Sequence, residues 1–232
     1  MLQLRSALFY LFFVTGVVVI SLLSVVLASW WPFRPRFRFV TAANHWAIFW
    51  LRVCCGVRLE VVGRDNLPAD GSFVIMANHQ SAMETLFLQM LVGPQCTVLK
   101  KELLRIPFFG WGLALLKPIA IDRSKRAGAM KQILKKGKER LAAGIPVLIF
   151  PQGTRVPLGE KGKFNKGGAM LACSAGVPVL PVAHNAAACW PSGEFVKRPG
   201  VVRIEFGALI ETVGRSVDEV NGEAVGWIEQ RI

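Results

Sequence analysis

Phe73-Val74-Ile75-Met76-Ala77-Asn78-His79-Gln80-Ser81-Ala82-Met83-Glu84 passes from strand to loop to helix start within a single short stretch. The apolar run 73–77 is brief and bounded by Asp70-Gly71 before it and Asn78 after it, which reads as a buried strand rather than a helix. Ser81 is a good N-cap with Glu84 three positions on, so Ser81-Ala82-Met83-Glu84 reads as a capping box opening a helix through Thr85-Leu86-Phe87-Leu88. His79 then lies in the loop at the strand's carboxyl end. In mid-helix a separation of five residues turns two side chains about 140° apart, so a direct pair is implausible there. A loop histidine and an acid in the first helical turn can meet, and together they have the parts of a general base: a carboxylate on one ring nitrogen fixes the tautomer and stabilises the imidazolium.

Outward from this unit, three more segments place polar groups just after an apolar run: Lys117-Pro118-Ile119-Ala120-Ile121-Asp122-Arg123, Val147-Leu148-Ile149-Phe150-Pro151-Gln152-Gly153-Thr154-Arg155, and Val177-Pro178-Val179-Leu180-Pro181-Val182-Ala183-His184-Asn185. Candidate strands at 58–62, 73–77, 97–99, 118–121, 146–150, 179–183 and 201–206 have helical segments between several of them. This alternation predicts an α/β domain with one central, mostly parallel or mixed sheet flanked by helices, and functional loops at one edge of the sheet. Gly144 closes a helix over 126–143 and Gly176 one that begins near Gly167. Pro181 inside its strand predicts an edge or a bulge.

In this order the four blocks resemble the glycerolipid acyltransferase family, in particular its bacterial 1-acylglycerol-3-phosphate branch, over roughly residues 58–210. The resemblance implies transfer of a fatty-acyl group from a thioester, acyl-CoA or acyl carrier protein, to the free hydroxyl of lysophosphatidic acid in phospholipid synthesis, with no further cofactor. It makes His79 the base and Glu84 its orienter. Arg123 and Arg155 fall in the blocks that the family uses for its acceptor, and a guanidinium fork suits a phosphate. Gly153 allows close backbone approach and Thr154 offers a hydroxyl, while Lys100 is a further cation for the thioester or phosphate. The chain departs from the commoner pattern at two positions: Glu84 stands where the family usually has Asp, and Gln152 where it usually has Glu. Glu84 keeps the charge. Gln152 loses it but keeps hydrogen-bonding capacity, which assigns it to substrate binding rather than proton transfer.

Residues 1–57 read as a membrane-anchoring helical region ahead of the acyltransferase domain at 58–232. The uncharged run 8–28 would extend roughly 32 Å as a helix, enough for a hydrocarbon core of about 30 Å, and is longer than the h-region of a cleaved signal peptide, its competitor. Trp30, Trp31 and Phe33, then Arg34, Arg36 and Arg38, form an aromatic belt and basic flank that place the bulk of the chain on the cytoplasmic face of the inner membrane. Residues 43–57 are apolar but interrupted by Asn44, His45 and Arg52, which suits an interfacial or re-entrant segment or an ordinary packed amphipathic helix.

The net charge of +13 admits nucleic acid, anionic lipid or phosphorylated substrates, and the apolar anchor decides against nucleic acid. Lys131, Lys135, Lys136, Lys138 and Arg140 form a basic helix face suited to an anionic bilayer or simply to solvent. Five cysteines without Cys-x-x-Cys spacing imply a reducing compartment and no structural metal. The loop 157–168, with Lys161, Lys163 and Lys166, is a candidate cover for the site. Segment 103–116, with Phe108, Phe109 and Trp111, suits an acyl-binding wall and core packing equally. His184 reads as a hydrogen-bonded structural histidine. The competing functions are an acyltransferase with another acceptor (glycerol 3-phosphate or a lyso-aminolipid), a thioesterase in which His79 activates water, and a membrane lipid-binding protein without turnover.

Overall fold

A computed structural model describes residues 1–160 and 162–232; Lys161 of the 157–168 loop lies outside the described residues. The chain begins with helix α1, Leu2–Leu23, which runs on through a π-helical turn, Ser24–Ala28. Helices α2 (Phe33–Val40) and α3 (Ala42–Cys55) follow, and Gly56 ends α3 in the left-handed conformation that suits glycine. The α/β part then alternates: β1 (Val57–Val62), β2 (Val74–Ala77), α4 (Met83–Val92), β3 (Cys96–Lys100), α5 (Phe109–Leu115), β4 (Ile119–Ile121), α6 (Arg126–Ala142), β5 (Val147–Ile149), α7 (Gly167–Ala175), β6 (Val179–His184), β7 (Gly200–Phe206) and α8 (Val217–Glu229).

All seven strands join one sheet in the order β1-β7-β6-β2-β5-β3-β4. Every neighbouring pair is parallel except β6 with β7. The central strand β2 explains the continuous apolar runs, since both its faces are covered and all four of its residues are buried. Ile75 and Ala77 face a core built with Leu51, Phe87 and Phe9 from α3, α4 and α1. Val74 and Met76 face the other core, with Ile133 of α6, Leu171 of α7 and Val220 of α8.

Pro181 corrects its expectation of an edge or bulge, because β6 lies inside the sheet between β7 and β2. The β7 ladder stops at Val182↔Phe206, so the missing proline N–H falls just past its end, and the Pro181 carbonyl still accepts from Gly207 N–H at 2.9 Å.

Helix α1 is docked along its length. Near its start, Arg5 Nε donates to the Cys54 carbonyl at 2.6 Å, and Ser6 Oγ accepts from Lys197 N–H at 2.8 Å. Near its end, α1 comes so close to α5 that a Cβ on Gly112 would lie 2.6 Å from Ser21 Oγ. In between, small Gly16 admits the Trp46 ring of α3, whose Nε1 donates to the Phe12 carbonyl at 2.7 Å. Small residues on the inner face permit this approach, and Leu4, Leu8, Leu11, Val14, Val19 and Val26 remain exposed on the outer one. Residues 43–55 of the 43–57 stretch lie in α3, with Ala47, Leu51 and Cys55 buried and Phe49 and Val53 exposed, and Val57 already belongs to β1.

Candidate active site

The carboxyl ends of β2, β3, β4, β5 and β6 lie along one edge of the sheet, and the loops leaving them carry the polar blocks. His79 is the second residue after β2. Its Nδ1 lies 2.5 Å from Glu84 Oε1, and its ring stacks on Phe150 just after β5, with centroids 4.4 Å apart and planes at 17°. Since Nδ1 faces a carboxylate it carries the proton, which leaves Nε2 as the acceptor.

Glu84 is fully buried, and its Oε1 also accepts the N–H groups of Gln80 at 3.2 Å and Ser81 at 3.0 Å. Ser81 Oγ accepts from Met83 N–H at 3.1 Å. The acid thus forms one half of the expected capping box, accepting from Ser81 N–H, while Ser81 Oγ takes Met83 N–H in place of that of Glu84. Regular helix starts at Met83, but the hydrogen bonds that begin it start at Ser81. A carboxylate is favoured in this place by the positive end of the helix dipole.

Gln152 is turned toward the protein. Its Oε1 accepts the backbone N–H of His79 at 2.6 Å, and Val156 N–H donates to the His79 carbonyl at 2.8 Å, so the loop after β5 grips the loop after β2. This side chain, expected to bind substrate, thus has a partner within the chain through Oε1, and it also lines the second cavity described below. Asn78, which sequence reasoning passed over, is buried and binds the end of β6 twice: its Nδ2 donates to the His184 carbonyl at 2.8 Å and its Oδ1 accepts from His184 N–H at 3.0 Å.

A cavity of about 200 Å³ opens beside His79. Lys100, Arg123 and Arg155 line it together with His79, and its interior is walled by apolar groups that include Phe13, Val17, Leu86, Leu113 and Leu116. The segment 103–116 thus contributes to this wall through Leu103, Phe109, Leu113 and Leu116, whereas Trp111 is exposed. Phe13 and Val17 come from α1, which no motif marked as part of a site. A second cavity, about 580 Å³, shares Arg123, Val98 and Phe150 with the first and is lined also by Gly153, Thr154 and Lys163. Thr154 and Gly153 therefore lie next to the histidine's cavity rather than in it.

Burial lowers the Arg123 pKa, and the like charge of Arg155 lowers it further while Glu102 opposes the shift. Two guanidiniums close enough to repel each other make a place for an anion. Lys101 is tied to Asp122 at 2.5 Å, and that bond is the main cause of the depressed Asp122 pKa. Lys100 remains exposed at the mouth.

A base with a free acceptor nitrogen, a cluster of cations and an apolar cavity meet at one sheet edge, and these are the requirements for moving an acyl chain onto an alcohol that carries an anionic group. The chain belongs to the Acyltransferase family, whose profile matches residues 58–185. It is 47% identical, over 98% of its length, to the 1-acyl-sn-glycerol-3-phosphate acyltransferase of Pseudomonas aeruginosa, of which it covers 90%. Among solved structures it is similar to the 1-acyl-sn-glycerophosphate (LPA) acyltransferase of Thermotoga maritima, with a TM-score of 0.80 at 26% identity, covering 98% of this chain and 92% of that one. A 1-acyl-sn-glycerol-3-phosphate acyltransferase of Chlamydomonas reinhardtii is 37% identical over 63% of this chain, which spans 45% of that longer protein.

Proposed function

We propose that this protein transfers a fatty-acyl group from an acyl thioester to the sn-2 hydroxyl of lysophosphatidic acid, forming phosphatidic acid. The observation that carries this reading is the His79–Glu84 pair beside a cavity with a cationic mouth and an apolar interior. The phosphate sits at Arg123, Arg155 and Lys100, and the acceptor hydroxyl is brought to His79 Nε2. As the hydroxyl oxygen attacks the thioester carbonyl, its proton passes to Nε2 and Glu84 stabilises the imidazolium. A C–O bond forms, the tetrahedral intermediate collapses, and the C–S bond breaks to release thiolate. Transfer is direct, with no acyl-enzyme.

The membrane anchor is α1 together with α3. An 18-residue stretch within Leu2–Ala28 has a mean hydropathy of 2.8, and the helix turns Leu4, Leu8, Leu11, Val14, Val19 and Val26 outward. Both ends of α1 rest on the rest of the protein, so this anchor also forms part of the substrate cavity. Arg34 and Arg38, exposed after the apolar segment, favour the cytoplasmic face of the inner membrane.

The test is formation of phosphatidic acid by the purified, detergent-solubilised protein from lysophosphatidic acid, with acyl-CoA and acyl-carrier-protein donors in parallel. Product is expected with at least one donor, and His79→Ala lowers its rate by about 10²- to 10⁴-fold. Absence of product with both donors overturns the reading, and equal rates in the variant remove His79 from the chemistry.

A further inference from the structure

The sheet ladder that fixes β2 ends at Met76↔Ile149 on the β5 side and at Ala77↔Val182 on the β6 side. One peptide group beyond that end, Asn78–His79 is the one that sets the direction of the catalytic ring. Its C=O and N–H lie in one rigid plane and point in opposite directions within it, and neither has a strand to pair with. The Asn78 carbonyl instead lies 2.9 Å from His184 Nε2, at the end of β6. The His79 N–H donates to Gln152 Oε1 at 2.6 Å, just beyond β5. Side chains from the two flanking strands thus take over the places of the missing ladder bonds.

The His184 tautomer follows from its other nitrogen. Ala186 N–H donates to Nδ1 at 3.3 Å, so Nδ1 is the acceptor and Nε2 carries the hydrogen that it gives to the Asn78 carbonyl. The ring is buried and meets the Phe87 ring edge-on at 5.3 Å, which fixes its plane. Burial lowers the His184 pKa, with the charge of Glu84 and the Asn78 carbonyl opposing the shift, so the ring remains the neutral donor that this geometry requires.

We propose that His184 and Gln152 are positioning residues for acyl transfer, which clamp the Asn78–His79 peptide from its two sides and so hold the His79 ring against Phe150 with Nδ1 on Glu84 and Nε2 toward the substrate cavity. Neither side chain touches the reacting atoms. Gln152 serves here as an acceptor for a backbone N–H, a task that a glutamate can also perform. The clamp rests on the transfer reading above, and an inactive wild-type protein is the failure of that reading.

The clamp is tested with His184→Asn and Gln152→Leu, which remove the bond to the peptide, against His184→Gln and Gln152→Glu, which can restore it. Thermal unfolding of each variant separates loss of structure from loss of alignment. In folded His184→Asn and Gln152→Leu, kcat is expected to fall about 100-fold, the cost of misplacing a reacting group by roughly 1 Å, while the KM for lysophosphatidic acid changes less than about threefold. The Gln and Glu variants recover most of that kcat, and the double variant is no slower than the slower single one, because both act on one peptide. Proton NMR gives a readout independent of turnover: the strongly deshielded proton of the short His79–Glu84 bond is present in wild type, weakened or shifted upfield in the two clamp-breaking variants, and restored in His184→Gln. Wild-type kcat and an unchanged proton signal in either folded clamp-breaking variant would overturn the clamp. So would multiplied losses in the double variant, or a fall in affinity without a fall in kcat. If His184→Asn does not fold, Gln152→Leu and its Glu rescue decide the matter alone.

Discussion

At the scale of single residues, Glu84 carries more than one demand. It is fully buried, it ties the loop entering α4 by accepting from Gln80 and Ser81 N–H, and it holds His79 Nδ1. Glu84→Gln separates these roles, since a carboxamide oxygen still accepts the backbone N–H groups but carries no charge for the imidazolium. The fold is expected to survive while kcat falls by roughly 10²- to 10⁴-fold. Steady-state kinetics beside a thermal melt checks this, and a melt that falls as steeply as the rate would count against it. The histidine and its acid were legible in the sequence because their spacing crosses a strand-loop-helix boundary. Phe150 under the ring and the inward turn of Gln152 were not, because their contacts cross from one strand end to another.

At the scale of elements, α3 and α4 are joined by a buried polar contact, Asn44 Nδ2 to Gln89 Oε1 at 2.8 Å, between side chains that both line the cavity beside His79. Asn44→Leu leaves the Gln89 carboxamide buried without this partner, an expected loss of about 1–3 kcal/mol. Asn44→Leu with Gln89→Leu should recover part of it, and a double-mutant cycle on unfolding reads the coupling. Helix α1 is held differently, by Arg5, by Ser6 and by Lys197, whose ammonium is 5.1 Å from the ring centroids of both Tyr10 and Trp190. The apolar run showed that this helix exists and seeks an apolar surrounding. It did not show that Phe13 and Val17 face a cavity, because a helix that is hydrophobic all round has no sided pattern to read.

At the scale of the whole molecule, helix α1 and the α/β part share one cavity. Deletion of residues 1–28 is expected to abolish activity even on detergent-dispersed substrate, because it removes the Phe13 and Val17 wall as well as the membrane contact. A truncated protein that remains active under those conditions would reduce α1 to an anchor. The buried His184 gives stability a pH dependence of known sign. Its folded pKa lies below the ordinary histidine value of about 6.5, so as pH falls below that value the unfolded chain takes up a proton that the folded chain resists. Stability contributed by this site is complete above that pH and is lost progressively below it. The melting temperature of His184→Gln should therefore decline less between pH 7 and 5 than that of the wild type, and parallel declines would assign the dependence to other groups.

The sequence by itself determined the α/β class, the positions of all seven strands, the dyad and the apolar start of the chain. Each of these is written in local periodicity, in capping and turn residues, or in a spacing within one loop. Only the tertiary structure decided that Pro181 lies inside the sheet, that Gln152 and His184 converge on one peptide, and that α1 walls the cavity. Those facts depend on which strands become neighbours and which helix faces close on each other, and long-range packing sets both after the local pattern has been satisfied.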